Sequence, residues 1–175
     1  MTKELLLLRH AKSSWDDPAQ ADIDRPLAPR GRRDAPRIGR AIRKNGWRPK
    51  MALVSPAART RETWQLAAAE MKHAPKPTFR DALYEAAPGQ LLAELHGTPE
   101  SVNSLLMLGH NPGLQDFILR LAGEGSDGEA LERLHNKFPT CGLARLELEG
   151  PWKKLGFGMA RLTHCLRLKD FAEDH

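Results

Sequence analysis

Three short stretches limit what this chain can fold into. Residues 5–8, 51–54 and 104–108 are apolar or nearly so, and each gives way at once to turn-forming or polar residues. Runs this short and this uniformly apolar read as strands buried on both faces of a sheet. After the second and third, apolar positions recur at helical spacing: Ala57, Thr60, Trp64, Ala67 and Met71 in one stripe, Leu114, Phe117, Ile118 and Leu121 in another. Buried strands alternating with amphipathic helices predict a three-layer α/β/α sandwich around a mostly parallel central sheet. At 175 residues the whole chain, 1–175, is expected to form one domain.

The remaining elements are fainter. Ala35, Ile38 and Ile42 mark a helix whose start is expected near Arg32 or Arg33, because Pro36 fits a helix only in its first turn. Leu91, Leu92 and Leu95 mark a shorter helix, and Leu131, Leu134 and Phe138 another. Residues 143–148 alternate apolar and charged side chains and read as a strand nearer an edge; residues 159–168 read as a last strand. No internal repeat or low-complexity tract divides the chain.

Charge is concentrated. The formal charge is +5, yet residues 25–50 hold eight arginines, two lysines and a single acid, Asp34, which is +9 for that segment and −4 for the rest. Such a segment is either a solvated helix face or a docking surface for an acidic partner or substrate. Nucleic acid is not expected as a partner: aromatic residues are 6% of the chain, and no RNA-binding aromatic signature or zinc-finger spacing is present. The early apolar run is too short for a membrane span or a signal-peptide core. Two cysteines, Cys141 and Cys165, make no disulfide framework and fit a reducing, cytoplasmic compartment.

The residues just past the three strands carry the chemical signal. Residues 5–8 run into Arg9-His10, residues 51–54 into Ser55-Pro56-Ala57-Ala58-Arg59, and residues 104–108 into Gly109-His110-Asn111-Pro112-Gly113. Ser55 and Asn111 read as N-caps, with Pro56 and Pro112 at the first helical position. In an open α/β sheet ligands bind outside the carboxyl ends of the strands, where helix N-termini favour an anion. Two arginines and two histidines delivered to that edge suit a phosphoryl group, which the planar guanidinium grips through paired hydrogen bonds. Singly, each is as readily a surface arginine or a structural histidine.

The motifs Leu8-Arg9-His10-Ala11-Lys12-Ser13-Ser14-Trp15, Asp24-Arg25-Pro26-Leu27, Arg30-Gly31-Arg32, Ser55-Pro56-Ala57-Ala58-Arg59-Thr60, Gly109-His110-Asn111-Pro112-Gly113 and Lys137-Phe138-Pro139-Thr140 resemble, in the right order, the histidine phosphatase (phosphoglycerate-mutase-like) superfamily. The likeness is greatest to its SixA-type phosphohistidine phosphatases, where alanine is familiar after the catalytic histidine. The resemblance implies His10 as a nucleophile that becomes phosphorylated. It implies Arg9, Arg59 and His110 as holders of the phosphoryl oxygens, and no metal or other cofactor. Ser13 and the stretch Trp15-Asp16-Asp17 are candidates for the pocket mouth. Glu85, in the connection where the superfamily often places its general acid, is the candidate acid, with Asp81 as fallback.

The implied substrate is a phosphohistidine protein or a small phosphoester, acted on by a monomer. A non-catalytic phosphate-binding module stands as the alternative from another class. His73, His96, His135, His164 and His175 show no metal-ligand spacing with one another or with the site histidines.

Overall fold

The computed structural model describes residues 2–171, so His175 lies outside the described residues. Strands β1 (Thr2–Arg9), β2 (Met51–Val54), β3 (Pro77–Phe79), β4 (Ser104–Gly109), β5 (Leu143–Glu149) and β6 (Arg161–Leu166) form one sheet in the order β3-β2-β4-β1-β5-β6. β3, β2, β4 and β1 run parallel; β5 and β6 are antiparallel additions on the β1 side. The alternating strand is thus second from the edge, with β6 outermost.

The helices are α1 (Pro29–Lys44), α2 (Ala58–Ala68), α3 (Pro88–His96), α4 (Gly113–Leu121) and α5 (Gly128–Asn136). Strand alternation sorts the core into two halves. Leu6, Leu8, Ala52, Val54, Leu106 and Leu108 pack under Ile38 and Ile42 of α1 and Trp64 of α2. Leu5, Leu7, Leu53, Leu105 and Met107 pack under Leu95, Leu114, Phe117 and Leu134 on the other side. This two-sided burial explains why β1, β2 and β4 are apolar at nearly every position. Cutting a fully buried Leu7 or Phe117 back to alanine would cost about 2–5 kcal/mol. Cys141 and Cys165 are both buried but belong to opposite halves, so the sheet separates them.

Three expectations are corrected. First, α1 starts at Pro29, so Pro36 lies well inside it and not in its first turn. Pro29 supplies the N-terminal proline, while burial of Ala35, Ile38 and Ile42 offsets the missing N–H at Pro36, a loss of about 3 kcal/mol. Second, α2 begins at Ala58 and α4 at Gly113, so Pro56 and Pro112 precede their helices, and neither Ser55 nor Asn111 is the N-cap. Third, α5 ends at Asn136, so Phe138 lies beyond the helix its spacing predicts; β3, three residues long with two of them exposed, has no counterpart in the sequence pattern.

Close packing of backbone fixes two glycines. A Cβ on Gly39 would overlap the Ala67 carbonyl, which sets how near α1 lies to α2; one on Gly31 would overlap the carbonyl of Lys12 in the loop after β1. The basic segment lies mostly on the exposed side of the fold, with part of its charge paired. Arg30 and Arg37 pair with Asp34, Arg32 with Glu62, and Arg40 with Glu70. No helix of the described residues is long and apolar enough to cross a membrane.

Candidate active site

The adjacency of β2, β4 and β1 brings their carboxyl ends to one edge. Backbone bonds stitch them there: His10 N donates to Gly109 O at 3.2 Å, and Ser55 N to Leu108 O at 3.1 Å. A tight turn after α5 closes the edge from the other side. Cys141, held at φ +61°, donates its N–H to the carbonyls of Arg9 and His10, and Gly142 O accepts from Arg9 N. The Phe138 carbonyl in that turn accepts from the Arg9 guanidinium at 3.1 Å and from Asn111 Nδ2 at 2.9 Å. The asparagine thus ties β4 to the turn, while its Oδ1 accepts from Gln115 N.

Arg9, Arg59 and His110 lie close around His10. His10 is 7% exposed, with its ring centroid 5.3 Å from that of His110. Its Nδ1 lies 2.7 Å from the Ala11 carbonyl. A carbonyl only accepts, so Nδ1 carries the hydrogen and Nε2 carries the lone pair. Burial pushes His10 down to about 3, helped by the charges of His110, Arg59 and Arg9 and opposed by the Ala11 bond, so the ring is neutral at pH 7. Burial and Arg59 likewise hold His110 down at about 4.

His110 Nε2 sits 2.7 Å from the Ser55 hydroxyl. That hydroxyl also accepts, at a long 3.5 Å, from Ala57 N; when its own hydrogen is given to Nε2, the His110 hydrogen sits on Nδ1. Ser55 therefore serves the histidine before the helix. Three buried nitrogens here have no partner: Arg9 Nε, Arg59 Nε and His110 Nδ1.

Sequence patterns missed two residues. Asp22, in a 3₁₀ turn over residues 22–24, accepts from Arg59 at its backbone oxygen (2.8 Å) and its Oδ2 (3.1 Å), and from Arg25 Nε at Oδ1 (3.0 Å). The Tyr84 hydroxyl donates to the same Oδ2 across the mouth. That hydrogen bond, with the two arginines, holds the Asp22 carboxyl well below the usual carboxylate range. Arg25 is the one member of the basic segment in this assembly. It also donates to Ser13 Oγ at 2.9 Å and lies 3.5 Å from the ring of Trp15, which is 70% exposed. Ser13 is buried with its hydroxyl engaged by Arg25, so it supports the mouth from within. Asp17 caps its own loop by accepting from Ala19 N.

A cleft of about 510 Å³ opens over Arg59 and His110, walled by Asp22, Tyr84, Glu85, Pro112 and Asp116 among others. His10 is not part of its lining. Glu85 is exposed on that wall with φ +55°, held where Gly113 lets α4 meet the Ala86 carbonyl. Asp81 does not line the cleft. Among the described residues no three His, Cys, Asp or Glu side chains gather as a metal site.

A parallel-sheet edge bearing a neutral, tautomer-fixed histidine among two guanidiniums defines an enzyme that handles phosphoryl groups. The sequence profile of the histidine phosphatase superfamily (branch 1) matches residues 5–106, and the chain belongs to that superfamily. An uncharacterized protein of Mycobacterium tuberculosis is 38% identical over 157 residues, covering 89% of this chain and 96% of the relative. Among solved structures, the assigned phosphohistidine phosphatase SixA of Nakamurella multipartitia superposes with a TM-score of 0.83 at 28% identity, over 95% of this chain and 96% of that one. Its counterpart from Agrobacterium tumefaciens gives 0.79 at 30% identity, over 94% and 97%. Fold, family and neighbours identify the chain as a phosphatase, phosphoglycerate-mutase-like in architecture and SixA-like within the superfamily.

Proposed function

We propose that this phosphatase removes the phosphoryl group from phosphohistidine on a protein, through a phosphohistidine intermediate on His10 and without a metal ion. One observation carries the mechanism: His10 keeps Nδ1 on the Ala11 carbonyl and so offers a neutral Nε2 amid Arg9, Arg59 and His110. The substrate class rests on the similarity to chains named as phosphohistidine phosphatases.

His10 Nε2 attacks phosphorus as the bond to the leaving group breaks. The leaving atom takes the bonding pair. Phosphoryl transfer passes through a loose transition state with charge on the equatorial oxygens, so fixed donors supply most of the acceleration. Arg9, Arg59 and His110 Nδ1–H are those donors. Water then attacks the phosphohistidine, the P–N bond breaks, and Nε2 regains its lone pair while the water proton passes to phosphate or solvent. Two guanidiniums provide the positive charge that a metal provides elsewhere. For an ester substrate Glu85, an exposed acid on the cleft wall in the connection where the superfamily often places its acid, is the proton donor.

The test is incubation with a phosphohistidine protein and a chromogenic phosphomonoester, with and without EDTA, for wild type and His10→Ala. Turnover of the phosphohistidine protein that is indifferent to EDTA, lost in His10→Ala and accompanied by an acid-labile phosphoenzyme is expected. Activity surviving in His10→Ala, or abolished by EDTA, overturns the mechanism. Turnover of the ester alone would make the chain a small-molecule phosphomonoesterase.

A further inference from the structure

The cleft is electrically polarised. Arg59 and His110 form one part of its lining, and Arg9 and His10 lie at the end of β1 on the same sheet edge; Asp22, Glu85 and Asp116 stand on the walls. The phosphoryl group belongs with the cations. Whatever carries it must then extend past the carboxylates. Asp22 is the nearest of these, since its Oδ2 touches the very guanidinium that grips phosphate, and Arg25 and Tyr84 pin it from two other directions.

We infer that Asp22, seconded by Glu85 and Asp116, makes this site selective for a phosphoryl group borne on a cationic leaving group. This deepens the phosphohistidine reading and rests on it for the physiological substrate. The fit to that chemistry is direct. A phosphohistidine ring protonated at its other nitrogen is an imidazolium. When His10 Nε2 attacks phosphorus, the departing nitrogen takes the P–N bonding pair and the ring leaves as neutral imidazole, keeping the proton it already carried. No acid has to deliver a proton at that moment. A fixed, ionised carboxylate beside the ring favours the imidazolium form before the step, which is what Asp22 can do and a proton donor cannot. The same carboxylates repel a leaving group that carries its own negative charge, such as a phosphorylated hydroxy acid.

The test separates leaving-group charge from the identity of the natural substrate. Phosphoethanolamine and phosphoglycolate are similar in size and opposite in charge beyond the ester. Their dissociation constants are measured by calorimetry on His10→Ala protein, with and without Asp22→Asn. Phosphoethanolamine is expected to bind at least about tenfold tighter than phosphoglycolate, and Asp22→Asn to reduce that ratio about tenfold, the effect of one unit charge a few ångströms away near a protein surface. A ratio near one, no binding of phosphoethanolamine at millimolar concentration, or a ratio unmoved by Asp22→Asn overturns the inference. Equal weakening of both ligands also overturns it, because Asp22 would then merely orient Arg59. If Asp22→Asn loses its circular-dichroism signal, the exposed pair Glu85→Gln with Asp116→Asn carries the test, a lowered ratio being expected and an unchanged one fatal. Phosphohistidine left intact by the wild-type enzyme, with the binding ratio as expected, would remove the substrate assignment and leave the charge selectivity standing.

Discussion

The Ser55 hydroxyl lies 2.7 Å from His110 Nε2, so the direction of this one hydrogen bond sets which imidazole nitrogen carries the hydrogen. With Ser55 donating to Nε2, the hydrogen sits on Nδ1, the nitrogen left without a partner. Ser55→Ala removes the lock without touching phosphate. A three- to tenfold loss in kcat is expected, about the worth of one hydrogen bond, with KM changed less. Steady-state kinetics on a chromogenic phosphomonoester measure it; an unchanged kcat would mean that the tautomer is set elsewhere.

The two site histidines make folding sensitive to acid. Both are held below their ordinary 6.5, His10 at about 3 and His110 at about 4, chiefly by burial. Below about pH 6.5 the unfolded chain takes up protons that the folded chain refuses, so stability falls as pH drops from there toward 4, by up to about 1.4 kcal/mol per pH unit for each histidine. Above pH 7 both are neutral in both states and contribute no slope. Denaturant midpoints at a series of pH values should fall less steeply on the acid side in His10→Gln than in wild type.

Glu85→Gln should separate the substrates. An alkyl phosphoester expels an alkoxide and needs a proton, a contribution of about 10²- to 10⁴-fold from a positioned acid. An imidazolium needs none. Kinetics of the variant on both should show a large loss on the ester and little on phosphohistidine; equal turnover of the ester would remove Glu85 as the acid.

Gly31→Ala should damage a site it does not enter. Its Cβ would overlap the Lys12 carbonyl, and Lys12 O is also the acceptor for Ala28 N. The loop carrying Ala11 and Ser13 must shift, at about 1–3 kcal/mol. A lowered thermal midpoint together with reduced kcat is expected, and normal values of both would show that the loop yields freely.

Much of this was legible in the sequence because burial on two faces leaves an unmistakable run. Leu5 to Leu8 could be little else than an inner strand, and the residues after it had to reach the sheet edge. The errors have physical causes as well. Ser55 and Asn111 are cap-forming residue types, but Ser55 bonds His110, and Asn111 accepts from Gln115 N while its Nδ2 donates to the Phe138 carbonyl. Asp22 and Tyr84 stand 62 positions apart on connecting turns, joined only when the strands align; no local periodicity announces such a pair. β3 has too few residues and too much exposure to leave a pattern.

The Phe138 carbonyl bears on how this site tolerates change over time. One backbone oxygen anchors both Arg9, the last residue of β1, and Asn111, just past the end of β4. Because that anchor is main chain, no replacement of the side chain at 138 deletes it, provided the buried ring is exchanged for something that fills its volume. The coupling between the two strands is therefore silent in a sequence alignment. Relatives can drift at that position and still inherit the geometry.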